Sequence, residues 1–241
     1  MQSNIVRIVN GVQRSCVTKL NQGFIVGVRE RKERDREALA RSILDAARDL
    51  FVAEGYQNVS IRKIAERIEY SPAAIYSYFP SKDDIFLALA EEGFRLLLTR
   101  RPSASDHATR VDGLRAALWH LYSFSKAHPE YYALMFLDRS VPRISADWQR
   151  FGFVRELKAE MSALIQDAVD HGELATGTDP HAVFRILFAA IHGAATMRIC
   201  NRLEAGEDGD ALAKDALEAA ITGLRTGFPQ IYHPGSFDHC K

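Results

Sequence analysis

Residues 60–82, SIRKIAERIEYSPAAIYSYFPSK, carry two short helical patterns separated by a tight polar turn, an arrangement that few folds accept. Ser60 is placed to cap a first helix in which Ile61, Ile64, Ala65 and Ile68 recur at helical spacing, leaving Arg62, Lys63 and Arg67 on the other side. Ser71 caps a second helix. Pro72 falls in its first turn, where a missing N–H is no loss, and Ala73, Ala74, Ile75, Tyr76, Ser77, Tyr78 and Phe79 continue it. Two helices of about two turns each bury too little to stand alone, so the pair needs a supporting helix. ALARSILDAARDLFVAEGY, immediately upstream, provides one: Leu39, Ile43, Ala46, Ala47, Leu50 and Phe51 form a buried stripe, and Gly55 supplies a left-handed stop.

Three helices with a tight turn between the last two form a helix-turn-helix, a device for reading duplex DNA. The run IYSYFPSKDDIF resembles the Tyr-x-x-Phe-x-x-Lys-x-x-Leu signature of the TetR family of transcriptional regulators. The upstream Phe-x-x-x-Gly-Tyr, a following Ser and a later Ile-Ala resemble the rest of that family's DNA-binding domain. The likeness is close over residues 36–94 and architectural beyond. It implies an all-α protein, with an N-terminal three-helix DNA-binding domain and a larger C-terminal helical domain for ligand binding and dimerisation. Matched residue for residue, it implies phosphate contacts for Tyr76 and Lys82. Arg62, Ala73, Ser77 and Tyr78 are then expected to face bases or adjacent phosphates, with Ser60, Lys63 and Ser71 completing the DNA-facing set. Simple packing is the alternative role for the tyrosines. Two positions depart from the family. Glu69 stands where glycine is usual in the turn, so a non-glycine residue is expected in the left-handed region at about 1 kcal/mol. Ala73 replaces a glycine early in the second helix, where its methyl could touch a thymine methyl or simply tolerate close approach.

The formal net charge is zero, so overall charge does not advertise a nucleic-acid partner, and the case rests on where charges sit. Three widely spaced cysteines, Cys16, Cys200 and Cys240, fit a reducing compartment without a disulfide framework and show no metal spacing. No signal segment is recognised and no stretch reads as a membrane span, so the expected location is the cytoplasm, with no membrane partner. No Gly-rich phosphate loop, nucleophile elbow or His-Glu-x-x-His appears, and no enzyme, cofactor or metal is expected.

Residues 1–34 lack a sustained period and end in RERKERDR; they read as a disordered leader or as a basic arm beside the reading motif. Residues 35–80 form the DNA-binding domain and 81–101 a connecting helix, which Ser81 and Asp84 start in the manner of a capping box. Residues 102–228 form the ligand-binding and dimerisation domain, and 229–241 a tail without period. Most aromatics of the second domain are core, and Trp119, Tyr122, Met135, Phe188 and His192 are the expected pocket set. Small residues, among them Ala189, Ala190, Gly193, Ala211, Ala216 and Ala220, line the last two helices; they suit close packing, within the chain or, as the family resemblance implies, in a homodimer. The resulting expectation is a repressor that leaves a palindromic operator when a small, largely apolar effector binds. A regulator of the same fold with no small-molecule effector is the alternative.

Overall fold

The computed structural model describes residues 28–99, 107–137, 152–176 and 179–226; among these every regular element is helical. The helices are α1 (Val28–Glu54), α2 (Ile61–Arg67), α3 (Pro72–Tyr76), α4 (Lys82–Thr99), α5 (Arg110–Ala127), α6 (Pro129–Tyr132), α7 (Gly152–Asp170), α8 (Pro180–Ile199) and α9 (Gly209–Thr226). The chain divides into two compact units, residues 1–96 with 130–151, and residues 97–129 with 152–241. Cys16, Phe151, the tail histidines His233 and His239, and Cys240 lie outside the described residues.

In the first unit α1 begins at Val28, earlier than its apolar period suggests. RERKERDR is therefore helical and exposed from Glu30 to Arg36. Its residues are good helix formers, and opposite charges spaced by four, such as Arg31 with Asp35, support a solvated helix without any apolar face. The chain turns at Gly55, whose φ of 80° would strain a side chain, although its ψ of 147° lies outside the left-handed helical well. Ser60 accepts the Lys63 N–H and Ser71 accepts the Ala74 N–H, so both motif helices are capped as their sequences dictate. Helix α3 is shorter than its pattern. It ends at Tyr76, where Ser77 turns its hydroxyl back to donate to the Ala74 carbonyl at 2.7 Å. Ile43, Ala47, Phe51, Ile64, Ala65, Ile75 and Phe79 are buried, and the rings of Phe51, Tyr56 and Phe86 meet at 5.3–5.8 Å. Each large apolar side chain so buried contributes about 1.5–3 kcal/mol.

Glu69 does adopt φ 60°. Its N–H reaches only the Glu66 carbonyl at 3.3 Å, while Tyr70 N–H closes the turn on Ala65 at 2.9 Å. Replacing Glu69 by glycine is expected to stabilise the protein by about 1 kcal/mol. The midpoint of thermal unfolding should rise by about 2–4 °C. A lower midpoint would show that the glutamate is held there by something worth more than the strain.

Residues 130–137, assigned to the second domain on sequence, pack with the first unit. α6 passes into a π-helical turn, Ala133–Leu137, that buries Tyr131, Tyr132, Leu134 and Met135. The Arg48 guanidinium lies 5.7 Å from the Tyr131 ring, and Phe136 meets Phe94 at 5.6 Å. Met135 lies against Gly93, where an added Cβ would stand 2.5 Å from its sulfur.

The second unit is built from α5, α7, α8 and α9, with the end of α4. Leu114, Leu118, Met161, Ile165, Leu187, Ile191, Leu217 and Ile221 are buried in it. Asp179 caps α8, with Pro180 at its first turn, as the sequence indicates. At the start of α9, Asp210 accepts from the Tyr122 hydroxyl at 3.1 Å and from Lys126 at 2.6 Å. Arg198 donates to the carbonyl of buried Ser125 at 2.5 Å. α8 is twenty residues long, and its most apolar eighteen-residue stretch has a mean hydropathy of 1.4, so by length and composition alone it could cross a membrane, as the core helix of a globular domain also can. It carries Arg185 and Arg198 and packs on α5, α7 and α9.

Candidate nucleic-acid interface and effector cavity

The residues expected to read DNA fall on one run of structure, from the cap of α2 to the start of α4. Ser60, Arg62, Ser71, Ala73, Tyr76 and Ser77 are exposed, and Lys63, Tyr78 and Lys82 are half-buried. Tyr76 leaves 54% of its surface in water, and Ile75 and Phe79 beside it take the buried positions. An exposed phenol over a buried isoleucine adds little to a core; it suits a phosphate contact. Arg62, with its side chain 82% exposed, pairs with Glu66, one turn on, at 3.0 Å. Such an exposed pair is worth little and yields readily to phosphate.

The two lysines are more engaged. Lys63 pairs with Glu54 of the supporting helix. The Lys82 ammonium donates to the carbonyls of Tyr56 at 2.7 Å and Val59 at 2.8 Å and sits 4.0 Å from the Tyr56 ring centroid. Burial lowers its pKa. It thus ties the start of α4 to the turn before α2 and keeps one N–H for another acceptor. Lys82→Ala is expected to destabilise the fold by about 1–2 kcal/mol, as loss of hydrogen bonds to a part-exposed charge should. If the remaining N–H also meets a phosphate, the salt slope of DNA binding should flatten by about 1 as well. A lower melting point with an unchanged slope would make Lys82 purely structural.

Sequence reasoning passed over Arg36. Its guanidinium carbon lies 5.8 Å from the Tyr78 ring, so the exposed start of α1 reaches the end of the motif. The signal was available in the helical continuity of RERKERDREALA.

Among the described residues of the second unit lies a small cavity between α4, α5, α7 and α8, lined by Leu97, Leu98, Ala117, Leu118, His120, Leu121, Leu157, Met161, Phe184 and Phe188. Its free volume is about 20 Å³, room for roughly one water. Of the five residues expected to form a pocket, only Phe188 lines it. His192 stacks on Phe188 at 5.2 Å, and burial lowers its pKa. Trp119 packs on Tyr122 at 5.0 Å, with the Lys214 ammonium 5.4 Å from its own ring centroid. Tyr122 is buried, and its hydroxyl, pushed up to about 12 by burial and by Asp210, is committed to that carboxylate. Met135 belongs to the first unit. Among the described residues no three His, Cys, Asp or Glu side chains gather as a metal site would require.

Two family models match the chain: "Bacterial regulatory proteins, tetR family" over residues 43–89 and "Tetracyclin repressor-like, C-terminal domain" over residues 114–220. The HTH-type transcriptional regulator TcmR of Streptomyces glaucescens is 28% identical over 217 residues, covering 86% of this chain and 88% of its own. The fatty acid metabolism regulator protein of Bacillus subtilis is 21% identical, covering 76% and 93%. In fold the chain is similar to the crystal structure of the transcriptional regulator FadR from Bacillus subtilis in complex with stearoyl-CoA. That match has a TM-score of 0.65 and 20% identity, and covers 76% of this chain and 98% of that one.

Proposed function

Because the chain belongs to the TetR family and is a DNA-binding transcriptional regulator, we propose that it is a homodimeric repressor released from a palindromic operator by a small, largely apolar effector. The observation that carries the reading is the presentation of Ala73, Tyr76 and Ser77 to solvent on a capped helix whose other face is fully buried. A surface so shaped is complementary to a major groove with its flanking phosphates. Its partners on this reading are double-stranded DNA, the effector and a second copy of the chain, in the cytoplasm and without an enzymatic role.

The dimer rests on α8. Only 28% of its most apolar window is buried within the chain, and Ile186 and Met197 are each 38% exposed. Ile186, Ala189, Gly193 and Met197 follow a three-and-four spacing along its exposed side. An added Cβ at Gly193 would meet nothing within 4 Å, so packing inside the chain does not account for this glycine. A copy of α8 and α9 from a second chain does, as a four-helix bundle.

For the effector, the apolar cavity supports an apolar body, as does the stearoyl-CoA complex of the FadR structure, whose likeness to this chain is one of fold. Its size of about one water favours a competing reading, a regulator without a small-molecule effector. A salt-titrated gel shift on the duplex upstream of the protein's own gene tests the repressor reading. Retarded complexes that weaken steeply with salt support it, and no preference over random duplex would refute it. A thermal-shift screen of apolar compounds then separates the two effector readings.

A further inference from the structure

Among the cavity-lining residues His120 alone carries a polar side chain. Its Nε2 lies 3.0 Å from the carbonyl oxygen of Leu97, which also lines the cavity and belongs to the last described turn of α4. A carbonyl can only accept, so Nε2 carries the proton and donates it. Carbonyls in the last turn of a helix run short of intrahelical amides, which makes a side-chain donor from a neighbouring helix worth more there than elsewhere. His120 therefore performs two tasks from one position: it holds the last described turn of α4, and among the described lining residues it carries the one polar side chain that a molecule entering the cavity would meet.

We propose that the His120–Leu97 hydrogen bond is a latch, opened by an effector whose apolar body carries a single hydrogen-bond acceptor, a carbonyl or carboxylate oxygen, that takes the Nε2 proton from Leu97. This rests on the cavity being the effector site. Because the cavity has room for about one water, entry must spread its walls, and the acceptor decides which wall contact is given up. A hydrocarbon of the same size can occupy the space but has nothing to offer His120, so the latch stays shut. Only an acceptor interacts differently with the latched and unlatched states, which is the condition for a ligand to shift an equilibrium.

The test compares His120→Leu, which cannot donate, with His120→Gln, whose amide can. First, without ligand, His120→Leu should weaken binding to the upstream duplex by about three- to tenfold, the effect of one part-buried hydrogen bond on an equilibrium, while His120→Gln should bind as wild type. Equal binding by wild type and both folded variants would overturn the latch without using any ligand. Second, matched probes that differ in the acceptor, 2-naphthoate with naphthalene and decanoate with decane, are added to wild type and His120→Leu. Thermal stabilisation of wild type by either member of a pair, with DNA release by the acid alone, and no release in His120→Leu, is the expected result. Release of His120→Leu by the acid, equal to wild type, would overturn the role of His120 while leaving the effector site in place. Failure of every probe to stabilise wild type, with the variants still differing on DNA, would instead count against the effector reading and against the acceptor half of the proposal.

Discussion

Gly193→Asp should convert a dimer into a monomer and lower operator affinity by about 100-fold or more, with helical content and thermal unfolding of the monomer little changed. The glycine is exposed in the isolated chain and has no heavy atom within 4 Å of where a Cβ would stand, so the new side chain meets no steric obstacle there. Aspartate is also a better helix former than glycine. In a seam made of two copies of α8 the same carboxylate would be desolvated opposite its own image, a loss of several kcal/mol. Two linked reading heads gain affinity through effective concentration, and a monomer forfeits a factor of about 10²–10⁴. Sedimentation and gel shift together check this. A wild type that sediments as a monomer at micromolar concentration rejects the dimer before any mutant is made.

The second large effect is the exchange between effector and DNA. For whichever acid probe stabilises the protein, operator affinity should fall by about 5- to 150-fold, the range of a 1–3 kcal/mol coupling, and operator should weaken probe binding by the same factor. Ala117 lines the cavity and is 9% exposed. Ala117→Val fills most of a space that holds about one water and should abolish the response while leaving ligand-free operator binding little changed. Titrations of probe with and without operator measure both arms. Unequal factors would mean that the probe acts somewhere other than on a shared equilibrium, and a response retained in Ala117→Val would move the effector site elsewhere.

The parts of this protein that local chemistry determines were legible in its sequence. Ser60, Ser71 and Asp179 each cap the helix their position announces, and Glu69 takes the left-handed conformation that a missing glycine demands. These depend on a few neighbouring residues and on sterics that hold in any fold. The lining of the cavity was legible only at Phe188. Trp119, Tyr122 and His192 share periodic, apolar helices with the lining residues, and periodicity identifies the buried side of a helix without saying which part of it faces a void. Tyr122 illustrates the difficulty: it is buried as expected, but its hydroxyl is turned to Asp210, a residue 88 positions later in the chain. That residues 130–137 group with the first unit was not legible for the same reason. Their attachment to the first unit depends on Gly93 admitting Met135 and on Arg48 facing Tyr131, and neither pairing leaves a mark on local sequence.

The most direct measurement is selection and sequencing of random duplexes bound by the purified protein. Two copies of one head related by a two-fold axis must recover an inverted repeat whose half-sites are centred about one helical turn, or a multiple of it, apart. Exchange of Ala73 or Ser77 should alter the same position in both halves, and exchange of Lys82 should alter none. Recovery of a direct repeat, a single half-site or no enriched sequence would contradict a dimeric operator-binding repressor.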